Sequence, residues 1–254
     1  MLRKVFLLLI LIVLKVTVEA QMVRSFTPRF TTNETGEIRM IGNTLMTCPA
    51  GTDCTAAQSG FASPTGLLNN AFNMVYVEID GSANSTFNSS EASLMMPAGA
   101  SILWAGLYWG GDTGGAPVAP SAAQRGNVLF ATPVSSYSSI MAVQVDNIGT
   151  RYQGYAEVTN LVAAAGNGTY RRANVQAGIG GDRYAGWSLI VAFKDNTMPA
   201  RNLTIFDGFA AVTSTTPAVS INVGSFTTPP FGQVKTKVGM VSDEGDYAKT
   251  ASCS

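Results

Sequence analysis

Short runs of alternating apolar and polar residues, separated by Gly, Pro, Asn and Ser, constrain the fold of this chain more than any other feature. Val75, Val77 and Ile79 share one face of such a run. This alternation places apolar side chains on one side of a β-strand. Residues 102–109 are apolar on both faces, which is typical of a strand in the middle of a sandwich.

Runs of this kind recur along the chain, and helical periodicity is almost absent. We predict strands at residues 26–30, 37–41, 69–80, 102–109, 128–131, 140–146, 155–159, 170–176, 187–193, 202–206, 219–223 and 233–241, with a turn at 33–36. One short helix is predicted at 160–165, before Gly166. The fold class that follows is all-β: an antiparallel, jelly-roll-like β-sandwich with at most one or two short helices.

Residues 1–20 have the parts of a secretory signal peptide. Arg3 and Lys4 precede an apolar run at 5–14, and Ala20 is a small residue at the expected cleavage point. The apolar run would rise only about 15 Å as a helix, roughly half a bilayer core. We therefore expect export, a single β-sandwich domain over 21–254, and no membrane span after cleavage.

The composition excludes several classes of function. Sixteen Lys and Arg balance sixteen Asp and Glu, so the chain has no net positive charge with which to hold nucleic acid. The chain contains no histidine, which removes Ser-His-Asp catalysis, Cys-His catalysis and His-ligated zinc. We predict that the protein is not an enzyme.

Carboxylate chemistry needs no histidine, so a glycoside hydrolase is kept as a distant alternative. Such an enzyme requires two carboxyl groups facing each other across a cleft. The candidates are carboxylates scattered along the chain: Glu78, Asp80, Glu91, Glu157 and Asp182. Their spacing does not show that any two of them face each other.

Cys48 and Cys54 are separated by five residues rich in turn formers, which predicts a small-loop disulfide in an oxidising compartment. Cys253 is left over near the C-terminus. An odd thiol at that place is consistent with an intermolecular bond or with a chain cut short.

Oxygen-rich loops give two candidate ligand-binding regions. Asp80 and Asn84, with Asp243 and Asp246, offer ligands for a structural Ca²⁺, although a series of Asx turns explains the same residues. Trp109 leads into the glycine-rich loop that contains Asp112, and these two residues are candidates for binding a glycan. Core packing is the competing interpretation of the tryptophan.

Asn-x-Ser/Thr sequons occur at Asn33, Asn84, Asn88, Asn167 and Asn202. They mark surface acceptors only in a host that glycosylates secreted proteins.

Four pairs of segments carry a resemblance to a known group: 26–30 with 36–48, 86–90 with 94–110, 155–159 with 166–170, and 184–193 with 201–209. Together they resemble the N-terminal β-rich region of large secreted bacterial cell-surface proteins, which are adhesin-like and contain conserved repeats. The resemblance implies an exported β-rich module and transfers no catalytic residue. At 241–246 such proteins continue into further strands, so this chain is either a fragment or a short relative.

The function expected from these observations is that of a non-enzymatic extracellular or cell-surface module in adhesion or envelope structure, with a glycan or a surface protein as its ligand. The alternative is a carbohydrate-binding module with a structural calcium. A glycoside hydrolase is the distant alternative.

Overall fold

The computed structural model describes residues 21–59, 69–81, 86–115, 122–212, 218–224 and 231–243. The predicted signal peptide lies outside these residues. The elements within them are β1 (Gln21–Thr44), β2 (Met46–Thr47), α1 (Thr52–Ser59), a 3₁₀ turn (Asn69–Ala71), β3 (Asn73–Tyr76), β4 (Ser89–Leu94), β5 (Ser101–Asp112), α2 (Ala122–Arg125), β6 (Asn127–Thr132), β7 (Ser135–Met141), β8 (Gln144–Ile148), β9 (Arg151–Glu157), α3 (Thr159–Ala165), β10 (Gly168–Ala173), β11 (Gly180–Gly181), β12 (Ala185–Lys194) and β13 (Ala200–Ala211).

The predicted fold class is confirmed, because 54% of the residues that the structure describes are in strands and 10% are in helices. A six-stranded sheet has the order β13-β1-β12-β5-β9-β8, and a four-stranded sheet has the order β4-β10-β6-β7. A small third sheet joins β11, β3 and β2. The strand pairings are antiparallel, and the largest sheet curls into a half-barrel. Three short helices are present in the described residues, one more than the sequence predicts.

Strand β5 lies at the centre of the core, as its two apolar faces predict. Leu107 and Trp109 point from one face into the core between the two larger sheets. Trp104 and Tyr108 point from the other face into the hollow of the half-barrel, where they pack with Tyr155. Burial of both faces is the reason that β5 can contain so few polar residues.

The predicted turn at 33–36 is wrong, since β1 runs through it without interruption. Thr35 pairs with Ala200 of β13, and the next residue, Gly36, pairs with Lys194 of β12. A Cβ at Gly36 would collide with the backbone oxygen of Phe193. The glycine is therefore needed for close approach of two strands, where the sequence pattern indicates a turn.

The predicted strand at 140–146 is two strands in different sheets. The amide of Ala142 donates to Gly126 beside the four-stranded sheet, at 2.7 Å. The next amide, of Val143, donates to Tyr155 in the six-stranded sheet, at 2.8 Å. The chain thus passes from the four-stranded sheet to the six-stranded sheet at this point. The alternation of apolar and polar residues continues in both sheets, which is why the sequence pattern predicted a single strand.

The predicted strands at 219–223 and 233–241 are also wrong, because neither segment forms a ladder. The second one contacts β1, where Lys237 pairs with Glu37 and Gly239 approaches Met40. All residues of this segment are exposed.

Cys48 and Cys54 lie at disulfide-bonding distance, with their Cα atoms 5.5 Å apart, as their spacing predicts. Cys54 is on α1, a helix that the sequence did not predict. The bond holds α1 against the end of β2. Cys253 lies outside the described residues.

Candidate functional site

Trp109, one of the two predicted glycan-binding residues, is in the interior of the protein. Only 1% of its surface is exposed, and its Nε1 donates to the backbone oxygen of Arg125 at 2.8 Å. The guanidinium of Arg172 lies 4.3 Å from its ring centre on the ring face. The ring therefore serves in core packing and does not offer a face to a ligand.

Asp112, the other predicted residue, ends β5 and organises a group of arginines. Its carboxylate lies 3.0 Å from Nη1 of Arg183 and 3.8 Å from Nε of Arg151. The other carboxylate oxygen accepts the amide of Gly114 at 2.7 Å. The carboxylate is buried, so these contacts compensate for its loss of hydration.

Backbone hydrogen bonds fix three loops around this carboxylate. The amide of Asp112 donates to Tyr184, and the amide of Gly178 donates to Asp112, both in the stretch before β12. Thr113 donates twice to the carbonyl of Thr150 in the turn between β8 and β9, from its amide at 2.9 Å and its hydroxyl at 2.8 Å. The loops are thereby held in one arrangement relative to the sheet.

A third arginine joins the group from α2. Arg125 donates from Nη2 to Thr113 at 2.8 Å and from Nη1 to Asn147 at 2.7 Å. Its guanidinium lies 5.5 Å from the ring centre of Tyr152. We call Arg125, Arg151 and Arg183, with Asp112 and Thr113, the arginine cluster.

The arginine cluster contains three guanidinium groups and one carboxylate, since Arg151 and Arg183 lie beside Asp112 and Arg125 bonds the neighbouring Thr113. Asp182 is a neighbouring carboxylate in the sequence, and it is exposed. The Nε atoms of Arg125 and Arg183 are buried and have no hydrogen-bond partner in the described part of the chain. An arrangement of this kind can bind the oxygen atoms of an anion by charge-assisted hydrogen bonds.

A second ionic network closes the half-barrel. Arg24 and Arg29 on β1 contact Asp207 on β13, and Arg24 also reaches Asp146 on β8 at 2.9 Å. Two arginines balance two aspartates here, so this network has no surplus charge. Burial, together with the charge of Asp207, raises the pKa of Tyr108, whose hydroxyl lies 3.3 Å from that carboxylate. We interpret this network as a structural closure of the sheet.

The residues proposed for calcium have separate partners. Asp80 accepts the hydroxyl of Tyr137 at 2.5 Å and lies 3.9 Å from Arg171. Asp243 lies over Gly110 on β5, and burial raises the pKa of its carboxyl to about 6. Asn84 and Asp246 lie outside the described residues. Within the described ranges, no three Cys, Asp or Glu side chains are grouped so that they could hold a metal ion.

The other predicted carboxylates contact polar neighbours. Glu91 pairs with Arg171 at 2.8 Å, Glu157 accepts the hydroxyl of Thr159 at 2.9 Å, and Glu78 accepts that of Ser89 at 2.6 Å. The distant glycoside hydrolase alternative stays a prediction.

The sequons differ in their accessibility. Asn88 is fully buried, and its side chain bonds the amide and the carbonyl of Val175, so it is not a glycan acceptor in the folded chain. Asn33 and Asn202 bond each other across β1 and β13 at 2.9 Å. Asn167 is exposed and bonds the backbone of Met96.

Sequence reasoning missed the arginines of the cluster and the buried Arg172. The cluster arginines share one signal, because each stands at or just before the start of a strand: β6, β9 or β12. Alternation from the buried Tyr170 would have placed Arg172 on the inner face of β10.

Comparison of the chain with protein-family models, with curated proteins and with solved structures finds no match in any of the three. Among the described helices, none combines the length and the apolar character needed to cross a bilayer.

Proposed function

We propose that the protein is a non-enzymatic extracellular module that acts by binding at a cell surface, in adhesion or in envelope structure. The predicted signal peptide, the antiparallel fold with its Cys48–Cys54 pair, and the resemblance to bacterial surface proteins support this proposal. The observation that carries it is the arginine cluster, which presents surplus positive charge at one end of the six-stranded sheet.

The cluster is suited to binding because its loops are already in place. Asp112 and Thr113 connect the end of β5 with the stretch before β12 and with the β8–β9 turn. A surface that is held in its binding arrangement loses little conformational entropy when a ligand arrives. Loops positioned by a rigid sheet are a common location for recognition residues.

The test of this proposal uses the cells that produce the protein. An antibody against the full chain should label intact cells, and trypsin added outside those cells should remove the label. Cells that lack the gene should attach less well to a solid surface, and the wild-type gene should restore attachment. Label that appears only after lysis, or turnover of a polysaccharide by the purified protein, would contradict the proposal.

A further inference from the structure

We infer that the arginine cluster recognises the carboxylate or sulfate groups of an acidic polysaccharide. This inference rests on the proposed function and adds a ligand class to it. It depends on three observations: the donors that the cluster leaves available, the exposure of its arginines, and the character of the surrounding side chains.

The cluster has hydrogen-bond donors to spare. An arginine has five N–H groups. The contact of Arg151 with Asp112, at 3.8 Å, is longer than a hydrogen bond. Arg183 uses Nη1 for Asp112, and its Nη2 makes no hydrogen bond with any of the described residues. Donors of this geometry bind carboxylate and sulfate oxygens in pairs.

The donors are within reach of a ligand. The side chain of Arg151 is 41% exposed and that of Arg183 is 25% exposed, whereas the carboxylate of Asp112 between them is only 5% exposed. The negative charge is thus at the base of the cluster and the positive charge is toward solvent. An anion that approaches from outside meets the guanidinium groups first.

The surroundings favour an acidic polysaccharide over an acidic protein. Asn147 and Thr150 are exposed polar neighbours that offer amide and hydroxyl groups to a sugar. Protein interfaces usually contain aromatic anchors at their centre. The rings of Trp109 and Tyr152, which pack against Arg172 and Arg125, are buried and supply no such anchor.

The test measures binding of the full chain to matched polymers. Dextran sulfate and neutral dextran differ only in their sulfate groups, and polygalacturonate and its methyl ester differ only in free carboxylates. Polyglutamate tests an acidic peptide. We expect the protein to bind an acidic polysaccharide more weakly as salt rises, to ignore both neutral polymers, and to prefer the polysaccharide to polyglutamate.

Matched variants locate the site. Arg151→Gln should lower the affinity about tenfold, the effect of losing one charge-assisted contact. Arg171→Gln is the control, because Arg171 on β10 has a similarly exposed side chain and also forms an ion pair, with Glu91. The affinity of Arg171→Gln should stay within about twofold of wild type, since loss of the Arg171 guanidinium leaves every contact of the cluster in place. Arg183→Gln should resemble Arg151→Gln, with an unchanged circular dichroism spectrum showing that it folds.

Three outcomes would overturn the inference: no binding to either acidic polysaccharide, equal losses in Arg151→Gln and Arg171→Gln, or preference for polyglutamate. None of them bears on whether the protein is at the cell surface, which the labelling of intact cells decides. Failure of that labelling would overturn the proposed function even if the purified chain bound an acidic polymer.

Discussion

The guanidinium of Arg172 is fully buried, and its closest aromatic contact is the face of the Trp109 ring, 4.3 Å from the ring centre. No carboxylate pairs with it among the described residues; Nη1 reaches the carbonyl of Leu129 at 3.4 Å, and Nε and Nη2 have no partner there. Burial lowers the pKa of Arg172 well below its usual value. A charge is thus held between the sheets mainly by an aromatic ring.

We expect Arg172→Met to raise the free energy of unfolding by about 1 kcal/mol. The free-energy cost of removing an unpaired charge from water exceeds the stabilisation that one cation–π contact provides, and the methionine side chain has a similar length to that of arginine. Urea denaturation followed by tryptophan fluorescence measures the change. Arg171→Met on the outer face of β10 is the control and should change stability by less than about 0.5 kcal/mol. Destabilisation of Arg172→Met by more than about 1 kcal/mol would show that the buried charge contributes to stability.

Asp112→Asn tests whether the carboxylate positions the arginine cluster. We expect a loss of about 1–2 kcal/mol in stability, because two partly exposed arginines lose their shared partner while the amide of Gly114 keeps an acceptor. Thermal unfolding measures the loss. Glu91→Gln removes an exposed partner from Arg171 and should change stability by less than about 0.5 kcal/mol. Equal stabilities for the two variants would contradict the structural role of Asp112.

Asp243, the residue that lies over Gly110 on β5, gives a prediction for the pH dependence of stability. Burial raises the pKa of Asp243 from its usual 3.8 to about 6, so the folded state binds this proton more tightly than the unfolded state does. The contribution to stability is therefore complete below about pH 4 and is lost as the pH rises through 6, with an upper limit of about 3 kcal/mol. Asp243→Asn should abolish this component in thermal unfolding between pH 4 and pH 7. A pH profile identical to that of the wild type would contradict the prediction.

Cys48→Ser should destabilise the protein by about 2 kcal/mol, because the Cys48–Cys54 bond closes a short loop and short loops gain least from a crosslink. The expected fall in melting temperature is about 4–8 °C. Reduction of the wild-type protein should produce a similar fall. Free thiols at both Cys48 and Cys54 in exported protein would show that the bond does not form.

Local alternation predicts the strands that have one clear inner face or two apolar faces. Strand β5 was predicted for this reason, and so was β12. The alternation at 233–241 is equally good, yet that segment forms no ladder, because a strand also needs a neighbour with free hydrogen-bonding groups. Sequence pattern predicts the shape that a segment favours and does not reveal whether a partner is present.

The candidate site was predictable only in part. Asp112 is a candidate from sequence because it lies in a glycine-rich loop, and the structure places it at the centre of the arginine cluster. The three arginines come from distant parts of the chain. Arg151 and Arg183 meet because β9 and β12 flank β5 in one sheet, and Arg125 reaches them from α2 through Thr113. Tryptophan is a residue type that stacks on sugar rings, so the sequence alone favours a binding role for Trp109. Only the register of β5 shows that its ring lies in the core.

The most direct test of the arginine cluster as a binding surface is its chemical protection by a ligand. Phenylglyoxal modifies exposed arginines, and mass spectrometry of peptides gives the rate at each of them. Dextran sulfate should slow the modification of Arg151 and leave that of Arg171 unchanged, while neutral dextran should protect neither arginine. Equal protection of both arginines, or no protection of Arg151, would contradict this prediction.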